Sequence, residues 1–327
     1  MRPFNNHSGN HHSRHSHSGN SHGHSHQSSR YANARPSDEA DRKFLAGTVI
    51  DPSPRIRLED GSKELTMRAM DLITPIGMGQ RGLIVAPPGS GKTTFLKHLC
   101  QAVTACHPEV KLYCLLIDER PEEVTDFRRS VKADVRWSSS DDSYDNHIST
   151  ADKLMKQVYR EVGEGANVMV LIDSLTRLTR VHNADCRSSG RTLSGGVDSR
   201  ALEIPRRIFG AARKIENGGS LSILATILVS TGSRMDDIIF EEFKGTGNME
   251  IYLSREISGR RIYPAIDISK SGTRKEERLL APEELEPVRK LRGMLASMDP
   301  VQAAKTLVDA LQKYPSNQAL LSALNGV

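Results

Sequence analysis

The stretch that most constrains this chain is residues 86–93, Ala-Pro-Pro-Gly-Ser-Gly-Lys-Thr. It follows an apolar run at residues 82–86 (GLIVA) that predicts a buried strand, and it leads into residues 93–105, which predict a helix. Glycines at 89 and 91 let backbone N–H groups turn inward around phosphate oxygens, and the helix N-terminus adds its partial positive charge. This is a P-loop, with Ala86 where the pattern usually has glycine. Lys92 is placed to reach β- and γ-phosphates, and the Thr93 hydroxyl to ligate Mg²⁺. Pro88, Gly89, Ser90, Gly91 and Thr94 complete the expected nucleotide cradle. A glycine-rich turn without a ligand is the plain alternative, and the flanking strand and helix make it the poorer account.

Further apolar runs at 112–117 (LYCLLI), 168–172 (VMVLI) and 221–229 predict strands, and residues 148–162 have helical spacing. Strands alternating with helices predict an α/β fold, a parallel sheet flanked by helices, with a C-terminal helical segment from about Pro282. The run at 168–172 ends in Asp173, 81 positions after Lys92. An acid closing an apolar strand is weak alone, but beside a P-loop it reads as the Walker B carboxylate that holds Mg²⁺. Glu119 lies just past the strand at 112–117, and ligands of parallel sheets gather at the carboxyl ends of strands. On position alone, Glu119 is equally a water-activating base or part of a solvated acidic turn.

Composition bounds the remaining choices. The 327 residues are 37% hydrophobic and 26% charged, which suits a water-soluble chain with a sizeable core. Apolar runs stay near ten positions, too short to span a bilayer, and no N-terminal apolar stretch suits a signal peptide. Four cysteines in a chain this long fit reduced thiols and a cytoplasmic setting better than a disulfide framework. Eight of the twelve histidines lie between His7 and His26, in a segment with almost nothing apolar to bury. Residues 1–44 are therefore expected as a disordered His/Ser/Arg-rich tail, and residues 45–327 as the folded domain. The tail reads most simply as a flexible arm, with metal chelation or nucleic-acid binding as sharper alternatives. The net charge of +5 permits a nucleic-acid partner without implying one.

Several longer motifs carry a resemblance. Residues 118–124 (DERPEEV), 241–250 (EEFKGTGNME) and 271–277 (SGTRKEE) resemble the transcription termination factor Rho family, as do 68–72, 80–88 and 209–213. The resemblance runs from about residue 45 to the C-terminus. It implies a RecA-like core in a homo-hexameric ring that hydrolyses ATP, moves along single-stranded RNA as a helicase, and engages the RNA polymerase elongation complex. It also implies roles for matching positions: Glu119 as the catalytic glutamate, Arg120 as a link to the neighbouring subunit, and Arg274 as an arginine finger reaching into the next subunit's ATP. Arg261 and Tyr263 match the base-contacting position, where the family usually offers Phe and where core packing is the alternative. Arg191, Gly195, Gly196 and Val197 match one RNA-contacting loop, and Ser233 and Arg234 the other.

Two departures stand against the pattern. The family's N-terminal RNA-capturing OB fold has no counterpart in residues 1–44, which hold only three aromatics and no strand pattern. Gly89 stands where the family usually has Lys, so a charge near the phosphates is lost. The alternative reading is a short paralogue that co-assembles with and regulates a full-length relative. A ring ATPase akin to rotary ATP synthase subunits, or one acting on protein, is a third reading, since fold alone does not separate functions. The retained Glu119 and Arg274 count against a purely regulatory subunit.

Overall fold

The computed structural model describes residues 39–61, 64–186 and 194–325. The chain begins with α1 (Glu39–Ala46), β1 (Val49–Ile50), β2 (Arg55–Ile56), α2 (Thr66–Ile73) and β3 (Ile76–Gly77). Next come β4 (Arg81–Ala86), α3 (Lys92–Cys106), β5 (Lys111–Glu119), α4 (Pro121–Ser130), β6 (Asp134–Ser139) and α5 (Tyr144–Gly163). They are followed by β7 (Asn167–Asp173), α6 (Leu175–Asp185), α7 (Glu203–Gly210), β8 (Arg213–Ile215), β9 (Ser220–Leu228) and α8 (Arg234–Phe243). The last part holds β10 (Met249–Tyr252), α9 (Arg255–Gly259), β11 (Gly272–Thr273), α10 (Pro282–Ala296), α11 (Pro300–Lys313) and α12 (Asn317–Asn325).

The main sheet runs in the order β11-β10-β4-β9-β7-β5-β6. From β10 to β6 every pairing is parallel, and β11 closes one edge antiparallel. β8 pairs antiparallel with the start of β9 and continues the line of β4 beyond its first residue, and β1 pairs with β8. The central strands are continuous apolar runs because helices cover both faces. In β5, Leu112, Cys114 and Leu116 face a layer that includes α2, α3 and the C-terminal helices. Tyr113, Leu115 and Ile117 face the other layer, with α5, α6 and α8. The predicted α/β architecture is therefore present, with helices from Pro282 onward.

Two features differ from the sequence expectation. The boundary at residue 45 falls inside α1, because Phe44 is 1% exposed and stacks on Tyr159 of α5 at 4.7 Å. Phe44 is the aromatic anchor of this short helix, whose Leu45 is exposed. The strands β6 (DVRWSS) and β10 (MEIY) are also unforeseen. Both lie away from the sheet centre and carry polar residues on a less covered face, so neither makes a continuous apolar run. Among the described residues, no helix is long and apolar enough to cross a membrane.

Candidate nucleotide site

The carboxyl ends of β4, β9, β7 and β5 stand side by side along one edge of the sheet. The loop after β4 turns through Gly89 and Gly91, at φ +76° and +91°, left-handed values that suit glycine. Gly91 is also the N-cap of α3, so the helix N-terminus opens at the loop. The loop is braced by buried Ser90, whose Oγ donates to the Pro87 carbonyl at 2.8 Å, and by Ser258 Oγ, which donates to the Gly89 carbonyl at 3.2 Å. Pro88 and Thr94 are exposed, and Thr93 is half-buried. Tyr263 is 49% exposed, so it is not a core residue. Its hydroxyl donates to the Ser258 carbonyl, and a Cβ on Gly91 would lie 3.9 Å from its ring. Tyr263 thus stands over the phosphate loop, with exposed Arg261 two residues before it.

Three charged groups meet beside this loop. Lys92 Nζ lies 2.5 Å from both Asp173 oxygens and 3.1 Å from Glu119 Oε1. Both carboxylates are buried. Glu119 gets there through a bulge: Asp118 takes φ +57° and the β5–β6 register shifts between Ile117 and Glu119. The bulge interrupts the regular side-chain alternation just before Glu119. Thr226 of β9 donates to Asp173 Oδ1 at 2.7 Å and fixes that carboxylate. Arg177, in the first turn of α6, has Nη1 2.8 Å from Glu119 Oε2 and also donates to the Asp118 carbonyl. Glu119 Oε2 has no partner beyond this Arg177 ion pair.

Burial raises the Glu119 pKa, the nearby Asp173 charge raises it further, and Lys92 and Arg177 only partly offset this. Burial works against the Lys92 charge, but Asp173 and Glu119 outweigh it and hold its pKa above the ordinary lysine value. The donor set is hard oxygen from Asp173 and the Thr93 hydroxyl, which suits Mg²⁺. Among the described residues no cluster of three or more His, Cys, Asp or Glu side chains could cage a metal. Mg²⁺ rarely uses such a cage and relies instead on one or two carboxylates plus substrate phosphates.

The two glycine-bearing loops are brought together. Gly195 and Gly196 are exposed, and a Cβ on Gly195 would meet Ile238 Cδ1 at 2.5 Å and the Arg234 carbonyl at 3.1 Å. Arg234 is exposed at the start of α8, and Ser233 is half-buried just before it. Val197 departs from the expectation: its side chain is fully buried in the core, so only its backbone could face a ligand. Arg191 lies outside the described residues. Asp236, fully buried on α8, accepts from Arg180 Nε at 2.7 Å and from Thr231 Oγ1 at 2.6 Å. Arg180 is on the same helix as Arg177, so α6 joins the acidic cluster to the loop at 230–234.

Two predicted arginines stand apart. The Arg120 side chain is 71% exposed, 3.8 Å from Glu123. Arg274 follows β11, where its N–H donates to Asn248 O at 2.8 Å and Nη2 donates to Gly245 O at 3.3 Å. Asn248 N–H in turn donates to Arg81 O at 3.0 Å. Arg274 is therefore level with the first residue of β4, while the phosphate loop follows its last. Six residues of strand put about 17 Å between these ends.

The nucleotide-binding domain profile of the ATP synthase alpha/beta family matches residues 66–273. The transcription termination factor Rho of Streptomyces coelicolor is 50% identical over 290 residues, covering 88% of this chain and 70% of that protein. The chain belongs to the Rho family. The Rho of Aquifex aeolicus is 52% identical over 285 residues, 86% of this chain, and that of Micrococcus luteus 50% identical over 291 residues, 88% of this chain. The chain spans 65% of the Aquifex relative's length and 42% of the Micrococcus one. Among solved structures, a prototypical type III secretion ATPase of pathogenic bacteria superposes with a TM-score of 0.69 at 22% identity, covering 85% of each chain. The assembled ATPase EscN of enteropathogenic E. coli gives 0.68 at 22%, covering 90% of this chain and 74% of its own. Both share the fold of this Rho-family chain.

Sequence reasoning missed Arg177, Thr226 and the Asp118 bulge. Arg177 carried a usable signal, since it lies four positions after Asp173 in the helix that Ser174 caps. Thr226 carried none, because the β9–β7 pairing that brings it to Asp173 is set only by tertiary structure.

Proposed function

We propose that this chain is the ATP-hydrolysing, RNA-moving unit of a Rho-type homo-hexameric ring acting in transcription termination on the RNA polymerase elongation complex. The observation that carries the reading is the Lys92–Asp173–Glu119 cluster beside the phosphate loop, joined by α6 to the loop holding Arg234.

In this reading the phosphate loop (Pro88, Gly89, Ser90, Gly91, Thr94) and Lys92 bind the ATP phosphates, and Tyr263 with Arg261 takes the adenine. Thr93 and Asp173 would hold Mg²⁺, which when bound neutralises charge on the β- and γ-oxygens. Glu119 orients a water and takes its proton as the water oxygen bonds to the γ-phosphorus. The bond to the β–γ bridging oxygen breaks and ADP leaves with that electron pair. Arg177 keeps the Glu119 carboxylate aimed. Arg274 acts on a neighbouring copy's nucleotide, because β4 separates it from its own phosphate loop, and exposed Arg120 is available to the same interface. Gly195, Gly196, the Val197 backbone, Ser233 and Arg234 line the path of single-stranded RNA, where glycine allows close approach and arginine neutralises phosphate, and Arg191 is assigned to it from the sequence alone.

The test is steady-state ATP hydrolysis by the purified chain with and without single-stranded RNA. Stimulation by RNA is expected, and an unchanged rate at saturating RNA would sink the translocase reading.

A further inference from the structure

Three arginines meet at the amino end of the sheet, opposite the phosphate loop. Arg81 opens β4, Arg213 opens β8 and Arg274 follows β11. Strand register sets their common direction. Arg81 is level with Ile223 and Arg213 with Leu221, both on the sheet face covered by α5, α6 and α8. Thr273 turns to the other face, where it donates to the Pro75 carbonyl, so Arg274 follows on the face of Arg81. Arg81 and Arg213 sit two residues apart along β9, about 7 Å, and Arg81 and Arg274 two strand spacings apart, about 10 Å. Gly79 makes the first approach feasible: at φ +92°, a Cβ there would meet Lys214 N at 2.5 Å.

No carboxylate of the described residues lies within ion-pair distance of these charges. Among the described residues none of the three forms an ion pair with a carboxylate. Arg81 Nη1 donates only to the Gly210 carbonyl at 3.5 Å, and its buried Nε has no partner. Arg213 Nε donates to Ala211 O at 3.0 Å, and its guanidinium lies over the Phe44 ring. Glu250 shares the face, where it accepts from the Gly245 N–H and the Tyr252 hydroxyl and makes no ion pair with the three arginines. Burial and the charges of Arg213 and Arg274 lower the Arg81 pKa. Repulsion of this kind favours an outward position for the least buried member, and Arg274 is the exposed one.

We propose that Arg81 is a positioning residue for trans catalysis: backed by Arg213, its charge drives the Arg274 guanidinium off the sheet toward the terminal phosphates of a nucleotide held by a neighbouring copy. This rests on the trans reading of Arg274 given above. It gives Arg81 and Arg213 a role through Arg274 alone, and predicts that charge at position 81 matters more than its shape.

The experiment compares Arg81→Gln and Arg81→Lys in RNA-stimulated ATP hydrolysis by the assembled full chain. Arg81→Gln should lower kcat by ~10-fold or more with little change in KM, since the phosphate loop is untouched. Arg81→Lys should keep kcat within about threefold, because it retains the charge without the fork. Equal loss in both variants, or wild-type kcat in Arg81→Gln, overturns the inference. A fall in melting temperature shared by both variants would mark a structural role and also overturn it. Mixing Arg274→Ala with Glu119→Gln chains separates the two readings. No regained activity refutes the trans site itself, whereas regained activity beside a wild-type Arg81→Gln refutes only the role of Arg81.

Discussion

Glu119 is held by opposing forces: burial and Asp173 favour its protonated form, while Lys92 and Arg177 favour the charged one. The net upward shift has a kinetic consequence with a definite sign. A base must be ionised to accept a proton, so kcat should fall on the acid side at a pH above that of an ordinary glutamate. Glu119→Gln should bind nucleotide but lose about 10²–10⁴ in kcat, and its residual rate should lack that acid limb. A pH–rate profile of both proteins checks this, and an unchanged limb in the variant would remove Glu119 from the chemistry. At this scale the sequence was informative wherever one local motif holds the whole instruction. Lys92, Thr93 and Asp173 are legible because the strand before and the helix after fix their place. Arg177 and Thr226 are not, because their meaning comes from contacts across 58 and 53 positions of chain. Val197 shows the converse, since a glycine-flanked position reads as exposed although the core closes over its side chain.

Helix α6 is the element that joins the acids to the loop at 230–234. Its far anchor is Asp236, fully buried and bonded to Arg180 and Thr231. Asp236→Ala should cost about 2 kcal/mol or more, since Thr231 and Arg180 then lose a charged acceptor. RNA stimulation should fall further than the basal rate, measured by denaturant melts alongside hydrolysis assays. Helix α2 offers a test by pH. Asp71 accepts from Leu58 N–H and Glu59 N–H at 2.8 and 2.9 Å, with Arg55 at 3.6 Å, yet burial pushes its pKa up to about 6. The folded chain therefore holds this proton more tightly than the unfolded chain, whose Asp titrates near 3.8. The stability contributed by this carboxyl is greatest below about pH 4, declines from pH 4 to 6, and stays about 3 kcal/mol lower above that. Asp71→Asn should gain on the wild type in melting temperature between pH 4.5 and 7.5, and a constant difference would contradict the assignment. Elements were legible where apolar runs were unbroken, as in β4, β5, β7 and β9. β6 and β10 were not, because half their residues meet water or a neighbour rather than a helix.

Over the whole molecule, β4 has the phosphate loop at one end and an arginine cluster at the other. The phosphate loop follows its last residue, while Arg81 and the neighbouring Arg274 stand at its first. Arg274→Ala should bind nucleotide normally and lose ~10³ or more in hydrolysis, as fingers supplied in trans do. Mixed with Glu119→Gln, it should regain some activity, and absence of regain at every mixing ratio would count against a site shared between copies. The sequence made the fold class legible, because strand–helix alternation dictates a parallel sheet. It did not reveal that Arg274 and Lys92 face opposite ends of one strand, since that depends on β11 turning back antiparallel beside β10. With Arg274 acting in trans as proposed, each chain would hold half of two catalytic assemblies and the whole of none. Turnover per chain should therefore vanish on dilution. In a closed ring of n copies all n centres are complete, while a ring opened to let a strand enter has only n − 1. The cost of opening is then charged to the single pair of subunits that separates.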